Sequence, residues 1–238
     1  MSNLRKNNLE LYNQHAADWW NSESRAFRSL QNINQSRFEN IKRFCLPNNP
    51  GMVADLGCGG GLLAIPILDL GHQVTGVDLS AASIAAAQNM AKNRGTFLVG
   101  DIRQTKLPSA YFDSVLLSDI LEHLPDIIPA LEEAYRILKP AGRMYVSTLN
   151  KTFISYVAAI LLGEGLGYVP RGTHDWKLFI TPSRLIAESQ AMGFKLNIAQ
   201  GEQVEIGKTL FGGKIFVRNS PHMLVSYWTV FEKGTTHA

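Results

Sequence analysis

Glycines and a carboxylate at regular spacing mark the part of this sequence that is best suited to bind a ligand. The segment Asp55-Leu56-Gly57-Cys58-Gly59-Gly60-Gly61 follows a short apolar run. Glycines at alternate positions permit positive φ angles and let a ligand approach the backbone closely. Asp78 lies about 20 residues after the loop, where a carboxylate can accept hydrogen bonds from both hydroxyls of a ribose. The pattern predicts a site for a nucleoside-containing cofactor.

The spacing of the glycines distinguishes two classes of cofactor. A dinucleotide-binding loop has the pattern GxGxxG, whose third glycine would fall on Leu62. The spacing Asp-x-Gly-x-Gly-x-Gly instead resembles the loop of class I methyltransferases, which favours S-adenosylmethionine over NAD. After the third predicted strand, Asp101 and Ile102 are expected to contact the adenine, although Asp101 could instead cap a helix. Ser118 and Asp119 end the fourth predicted strand, where the methionine part and the methyl group should lie. The residues predicted here to bind the cofactor are Asp55, Gly57, Cys58, Gly59, Asp78, Leu79, Asp101, Ile102 and Ser118.

Asp119, Glu122 and His123 form the candidate centre for acid–base or metal chemistry. Their i, i+3, i+4 spacing would place all three side chains on one side of a helical turn. Carboxylates and an imidazole suit Mg²⁺, Mn²⁺ or Zn²⁺, so one hypothesis is a divalent-cation site. Local pairing of Glu122 with packing of His123 is an alternative, as is a metal-free base role for one of the residues. His174 and Asp175 are a second candidate base pair or a latch for the lid; the alternative is a polar turn whose residues satisfy each other.

Short apolar runs alternate with turns and helical spacing from Met52 onward, which predicts an α/β fold. We expect a Rossmann-like class I methyltransferase fold, with a mostly parallel seven-stranded sheet and helices on both faces. Ligands of such sheets bind outside the carboxyl ends of the strands, where the candidate residues lie. The predicted strands cover residues 52–56, 73–77, 96–99, 113–118 and 143–148, followed by an antiparallel pair at 195–203 and 223–232.

The chain is expected to form a single methyltransferase domain over residues 1–238. Helical spacing before the sheet predicts an N-terminal helical lid within residues 1–50. Residues 150–181 interrupt the alternation with glycines and a polar turn, and we interpret them as an insertion for substrate or membrane contact. Crossover helices are predicted at 81–92, capped by Ser80, and at 127–138, capped by Asp126. Thr181 and Pro182 are expected to open a further helix.

Composition, net charge and cysteine content indicate the class of protein and exclude some kinds of partner. Hydrophobic residues make up 45% of the chain and charged residues 18%, as in globular enzymes. With a net charge of +3 and no basic stripe, nucleic acid is not expected as a partner. Cys45 and Cys58 do not form a metal-type CxxC pair and are expected to be reduced thiols. Reduced thiols predict a cytoplasmic protein. A polar N-terminus and the lack of a long apolar run predict that the chain does not cross a membrane.

Several further segments carry a more specific resemblance. They are Gln14-His15-Ala16, Trp19-Trp20, Ile33-Asn34, Arg37, the glycine loop, Leu121-Glu122-His123, Ser147-Thr148-Leu149-Asn150 and Gly172-Thr173-His174-Asp175. Together they resemble the ubiquinone-biosynthesis O-methyltransferases from about Leu11 to Pro182. The resemblance implies methyl transfer to phenolic hydroxyls of polyprenylated catechol-type intermediates, with S-adenosylhomocysteine as product. The C-terminal segment of this chain, Pro221 to Glu232, fits the C-terminal sequence of the family poorly. Another small phenolic or lipid acceptor is therefore an alternative.

The resemblance also implies roles for individual residues. Arg37 would hold the methionine carboxylate, and Gly57, Asp78 and Ser118 match other cofactor positions. Metal dependence is implied as well, although Asp119 stands where the family commonly has Glu. The acceptor must lose a proton, so a base or a cation must stabilise its phenolate. The predicted catalytic residues are Asp119, Glu122, His123 and His174, of which the first three are also the predicted metal ligands.

The apolar stretch from Phe153 to Leu162 is too short to span a bilayer, and Leu166, Tyr168 and Val169 follow it. It is either a buried helix or a surface for reversible contact with the inner face of the cytoplasmic membrane. Lys151, Arg171 and Lys177 flank it and would favour anionic headgroups. A further alternative is a non-catalytic, cofactor-binding subunit that uses this insertion to dock onto a membrane-associated biosynthetic complex.

Overall fold

A mixed sheet lies at the centre of the computed structural model, which describes residues 6–170 and 172–235. Within these residues the strands are β1 (Met52–Leu56), β2 (Gln73–Asp78), β3 (Thr96–Val99), β4 (Phe112–Ser118), β5 (Leu138–Leu149), β6 (Phe194–Val204), β7 (Val217–Ser220) and β8 (Ser226–Lys233). Their order in space is β3-β2-β1-β4-β5-β8-β6-β7. The first five strands pair in parallel, whereas β8, β6 and β7 continue the sheet in antiparallel pairs.

Helices connect the strands and cover both faces of the sheet. They are α1 (Lys6–Gln14), α2 (Arg28–Phe44), α3 (Ala64–Asp69), α4 (Ala81–Ala91), α5 (Ile128–Ile137), α6 (Phe153–Ser155), α7 (Pro182–Ala191) and α8 (Ile206–Gly212). A π-helix, Tyr156–Glu164, continues α6, and Leu121–His123 forms a 3₁₀ turn. The predicted caps of α4 and α7 are confirmed, because Ser80 and Thr181 accept hydrogen bonds from the backbone three residues later.

Alternation along the central strands explains the two-sided core. On β4, Val115 and Leu117 pack in the cluster that includes α5, whereas Leu116 faces the cluster that includes α2, α3 and α4. All three side chains are fully buried. Each such side chain contributes about 1.5–3 kcal/mol by leaving water. Because helices cover both faces of the sheet, polar residues can gather at the carboxyl ends of the parallel strands.

The α/β Rossmann-like class is confirmed, but the predicted number of seven strands is wrong for the described residues. The strand that the sequence did not predict is β7. It has four residues, which are too few and too polar to show an alternating pattern. It forms because β6 offers an edge, with Gly201 opposite Ser220 and Val204 opposite Val217. Its stability therefore comes from a partner strand and not from its own sequence.

The N-terminal and inserted segments lie over the carboxyl edge of the sheet. Helices α1 and α2 are separated by residues 15–27, which contain a short 3₁₀ turn, Ala16–Asp18. Residues 1–5 of the predicted lid, and Arg171 of the predicted basic flank, fall outside the described part. Among the described residues, no helix is both long enough and apolar enough to cross a membrane.

Candidate active site

The carboxyl ends of β1, β2 and β4 open into a cavity of about 610 Å³. The glycine loop forms one wall, and α1, α2, the insertion and the ends of β6 and β7 complete it. All residues predicted for the site line this one cavity: Arg37, Asp55, Gly57, Cys58, Gly59, Asp78, Leu79, Asp101, Ile102, Ser118, Asp119, Glu122, His123 and His174. The parallel strands bring most of them together because their ends share one edge of the sheet.

The loop after β1 is held in shape by its backbone. Gly57 and Gly59 have φ angles of +84° and +50°, a region that favours glycine. The N–H groups of Gly57 and Cys58 donate to the Val77 carbonyl oxygen at 2.7 and 3.2 Å, which ties the loop to β2. Burial, followed by the charges of neighbouring carboxylates, raises the pKa of the Cys58 thiol well above its ordinary value. This thiol is therefore neutral and acts as a packing group.

Asp78 connects the loop to the end of β2. Its carboxylate accepts hydrogen bonds from the Gly59 N–H at 2.9 Å and the Ser80 N–H at 2.8 Å. A carboxylate has about four acceptor positions, so these hydrogen bonds leave capacity for a ribose hydroxyl. Burial raises the pKa of Asp78, and burial followed by the Asp78 charge raises the pKa of Asp55 to about 7. The residues fit the ribose of the predicted cofactor, since Asp78 retains acceptor capacity towards the cavity.

Asp101 and Ile102, which follow β3, line the cavity on the side of that strand. Ile102 is buried, whereas the Asp101 carboxylate pairs with Arg103, with its Oδ2 atom 2.5 Å from Nη2. Hydrogen bonds from Arg103 lower the pKa of Asp101. Asp101 is thus partly committed to Arg103. The alternative role as a helix cap is wrong, because no helix lies between β3 and β4.

Arg37 lies between two carboxylates at the opposite wall. Its Nε and Nη2 atoms donate to the two carboxylate oxygens of Glu202 at 3.0 and 2.9 Å, and Nη1 pairs with Asp119. Ser226 Oγ donates to the same Glu202 at 2.9 Å. Burial would lower the pKa of Arg37, but the charges of Asp119 and Glu202 raise it well above its ordinary value. The guanidinium is permanently charged, and three of its five N–H groups are used.

Sequence reasoning missed Glu202, the buried partner of Arg37. The two residues are separated by 165 positions, and Glu202 lies on β6 opposite Ser226 of β8. No local pattern around Glu202 indicates a functional residue, because its place in the cavity depends on the antiparallel half of the sheet.

The three predicted metal ligands point to different partners. Asp119 pairs with Arg37, and Glu122 accepts a hydrogen bond from Thr148 Oγ1 at 2.8 Å. His123 meets the ring of Tyr12 edge-on, with 6.3 Å between centroids. Within the described part of the chain, no three His, Cys, Asp or Glu residues are arranged to hold a metal ion. As arranged here, these residues do not fit the predicted cation.

Burial determines the protonation states of Glu122 and His123. Burial, followed by the charge of Asp119, raises the pKa of Glu122 to about 8. Burial, followed by the proximity of His174, lowers the pKa of His123 to about 3. Near neutral pH, Glu122 is therefore largely a neutral carboxyl and His123 a neutral imidazole.

A tryptophan from the N-terminal segment covers the glycine loop. Trp19 stacks on Phe27 with 3.9 Å between ring centroids, and its Nε1 atom donates to Ser83 Oγ at 2.9 Å. Trp20 Nε1 donates to the Gly60 carbonyl oxygen at 2.8 Å. A Cβ atom at Gly60 would collide with the Trp19 ring. The N-terminal segment thus packs directly on the predicted cofactor loop.

We expect Gly60→Ala to weaken S-adenosylmethionine binding by about tenfold, because an overpacked contact costs about 1–3 kcal/mol and must displace either Trp19 or the loop. Isothermal titration calorimetry measures the effect. Gly207→Ala is the matched control, since a Cβ atom there meets nothing within 4 Å. Equal affinity of the two variants would contradict the close contact between Trp19 and the loop.

The neutral Glu122 carboxyl predicts a pH effect on stability. Because its pKa is raised in the folded state, its contribution is present at low pH and is lost as pH rises from 4.5, the ordinary value, through about 8. Relative to Glu122→Gln, which cannot ionise, the wild type should lose free energy of unfolding across this interval. Urea unfolding at both ends provides the measurement. A difference that does not change with pH would show that Glu122 ionises normally.

Comparisons with known proteins agree with this geometry. A family model described as a methyltransferase domain matches residues 54–146. The chain is 33% identical to the ubiquinone biosynthesis O-methyltransferase of Pelagibacter ubique, covering 87% of this chain and 91% of that protein. It is 32% identical to the protein of the same name from Hydrogenovibrio crunogenus, covering 94% of each.

Solved structures support the fold. The magnesium protoporphyrin IX methyltransferase of Synechocystis with bound SAH aligns with a TM-score of 0.66 at 19% identity, over 94% of this chain and 97% of that one. A SAM-dependent methyltransferase of Thermotoga maritima aligns with the same score at 20% identity, over 94% and 99%. The cavity at the carboxyl edge, its glycine loop and the extent of the sequence matches lead to one conclusion: the chain belongs to the ubiquinone biosynthesis O-methyltransferases, a family of S-adenosylmethionine-dependent enzymes.

Proposed function

We propose that this enzyme transfers a methyl group from S-adenosylmethionine to a phenolic hydroxyl of a polyprenylated catechol-type ubiquinone precursor, of the 2-polyprenyl-6-hydroxyphenol and 3-demethylubiquinol type. The observation that carries the proposal is a single cavity that joins the glycine loop and Asp78 to an apolar wall. That wall draws on α2, the ends of β5 to β7, the segment before β8 and the insertion. Its apolar members include Leu30, Ile33, Leu149, Val204, Ile215, Val217 and Val225.

The cofactor half of the cavity supplies binding and orientation. Asp78 accepts hydrogen bonds from the ribose, and Ile102 packs against the adenine. Arg37 donates to the methionine carboxylate with the N–H groups that Glu202 and Asp119 leave over. Ser118, whose Oγ lies 2.7 Å from Ser147 Oγ, borders the methyl group. Bound S-adenosylmethionine supplies an electrophilic methyl group on a positively charged sulfur, so the protein must mainly align the acceptor and exclude water.

The acceptor half places polar groups within an apolar wall. Asp119, Glu122, His123 and His174 face the same space as the apolar side chains and are the candidates that contact the phenol. The prenyl group would lie against the apolar wall, where its burial contributes about 25 cal/mol per Å². We further propose that residues 1–50 act as a lid and that residues 150–181 contact the acceptor.

The proposal predicts methyl transfer from labelled S-adenosylmethionine to a short-chain prenylated catechol. The Asp78→Asn variant should bind the cofactor at least about tenfold more weakly, because an amide replaces an acceptor in the ribose site. Asp69→Asn is the control, since Asp69 pairs with Arg94 at the surface. Cofactor binding without turnover of any prenylated phenol would favour the non-catalytic subunit; turnover restricted to unprenylated phenols would favour another acceptor.

We also propose that the enzyme makes reversible contact with the inner face of the cytoplasmic membrane through an apolar rim beside the cavity. The rim consists of the exposed side chains of Phe153, Ile154, Leu161, Leu162, Leu166, Ile206, Leu210 and Phe211. Its two parts meet where Tyr168 Oη donates to the Thr209 carbonyl oxygen at 3.5 Å. Phe211 is 96% exposed, which is unusual for a phenylalanine in water. Lys151 and Lys177 flank the rim and favour anionic headgroups.

Flotation with vesicles of phosphatidylglycerol and phosphatidylcholine tests the membrane contact. Leu161→Asp and Phe211→Asp should each reduce the bound fraction several-fold, because a buried charge opposes insertion into the interface. Leu70→Asp is the matched control, since Leu70 is a comparably exposed leucine at the end of α3, near the opposite edge of the sheet. Equal flotation of all variants would contradict membrane contact through the rim. It would favour the rim as a surface that binds a protein of a biosynthetic complex.

A further inference from the structure

The insertion places a histidine–carboxylate pair in the wall of the cavity. His174 Nδ1 lies 3.1 Å from Oε1 of Glu164. The backbone N–H groups of Gly172 and His174 donate to the same carboxylate at 2.7 and 2.9 Å. The Glu164 side chain is 9% exposed and that of His174 is 14% exposed, so bulk water competes little for this contact.

The pairing determines which nitrogen of His174 can act as a base. A carboxylate only accepts hydrogen bonds, so the ring must donate from Nδ1. In the neutral imidazole, Nε2 then carries the lone pair. Burial would raise the pKa of Glu164, but the hydrogen bonds from His174 and Gly172 lower it on balance. Glu164 is therefore an anion near neutral pH, as a partner of an imidazolium must be.

Two rings hold the imidazole plane in place. His123 is stacked with His174 at 6.3 Å between centroids and an interplanar angle of 19°. Phe179 meets His174 edge-on at 6.0 Å. Orientation by a carboxylate on one nitrogen and by packing on the faces is the arrangement that prepares a histidine for proton transfer.

The other polar groups of the acceptor half are less suited to remove a proton. Asp119 is committed to Arg37. The Glu122 carboxylate accepts a hydrogen bond from Thr148 Oγ1 at 2.8 Å. The His123 ring packs edge-on against Tyr12, with 6.3 Å between centroids. Asp175, the partner that the sequence predicted for His174, accepts a hydrogen bond from the Lys177 N–H at 3.1 Å.

We propose that His174 is the general base of the methyl transfer and that Glu164 is the residue that positions it. This inference rests on the proposed function and deepens it. The proton of the phenolic hydroxyl moves to Nε2 of His174 while the oxygen forms a bond to the methyl carbon. The bond between that carbon and sulfur breaks, and its electron pair stays on sulfur. The imidazolium, stabilised by Glu164, returns its proton to solvent after product release.

Substitution of the base should separate catalysis from binding. His174→Ala is expected to lower kcat by about 10²–10⁴-fold, the usual contribution of general base catalysis. The dissociation constant for S-adenosylmethionine should stay within about twofold of the wild-type value, because His174 serves the acceptor side and its loss removes an interaction of the transition state. Added imidazole should raise the kcat of His174→Ala at least about tenfold, because it replaces the missing ring.

The acidity of the acceptor provides a readout that a purely structural role would not affect. A nitro-substituted catechol ionises more readily than an alkyl-substituted one and needs the base less. The loss caused by His174→Ala should therefore be several-fold smaller with the nitrocatechol. An equal loss with both acceptors, together with failure of imidazole rescue, would overturn the role of His174.

Glu164 is tested by a graded pair of variants. Glu164→Gln should lower kcat by about 10–100-fold with little change in acceptor KM, the usual effect of removing an orienting partner. Glu164→Asp keeps the charge and should retain more activity than Glu164→Gln. Glu188→Gln is the control, since Glu188 pairs with Arg184 on α7. Wild-type kcat in Glu164→Gln, or equal loss in both Glu164 variants, would contradict the positioning role.

The outcomes also separate this inference from the proposed function. Absence of wild-type turnover with every phenol would contradict the proposed function itself. Wild-type turnover that chelator abolishes and Mg²⁺ restores, combined with an unaffected His174→Ala variant, would contradict only the base assignment. Circular dichroism and cofactor titration of each variant verify that the fold is retained. His174→Asn replaces His174→Ala if the alanine variant fails these checks.

Discussion

A buried guanidinium holds three parts of this fold together. Arg37 projects from α2, Asp119 follows β4 in the parallel half of the sheet, and Glu202 lies on β6 in the antiparallel half. Removing one partner of a buried ion pair typically costs about 3–5 kcal/mol, because an unpaired charge is left behind. The contact thus fixes α2 and both halves of the sheet around one cavity. It also presents a permanent positive charge to the side where the methionine carboxylate is expected.

The positions of the glycine loop and Asp78 were predictable because their sequence signals are local. The loop from Asp55 to Gly61 and the carboxylate at Asp78 each follow a strand, and parallel strands end at one edge whatever the rest of the chain does. The structure adds that Asp78 also pins the loop through the Gly59 N–H. The placement of these residues around one cavity is confirmed, and their contacts with a cofactor stay a prediction.

The other contacts around the cavity were less predictable because they depend on residues that are distant in sequence. Glu202 reaches Arg37 only after β6 and β8 have paired, and Trp20 reaches Gly60 across 40 positions of sequence. The i, i+3, i+4 spacing after β4 suggested a ligand set, but the segment forms a 3₁₀ turn and Arg37 holds Asp119. Glu164 was missed because a π-helix carries it to His174, and spacing alone favoured the adjacent Asp175.

The decisive experiment is a crystal structure with S-adenosylhomocysteine and a prenylated catechol bound. We expect the ribose hydroxyls on Asp78, the methionine carboxylate on Arg37, and a catechol oxygen within hydrogen-bond distance of His174 Nε2. A cation bridging both catechol oxygens on Asp119, Glu122 and His123, with His174 turned away, would contradict it.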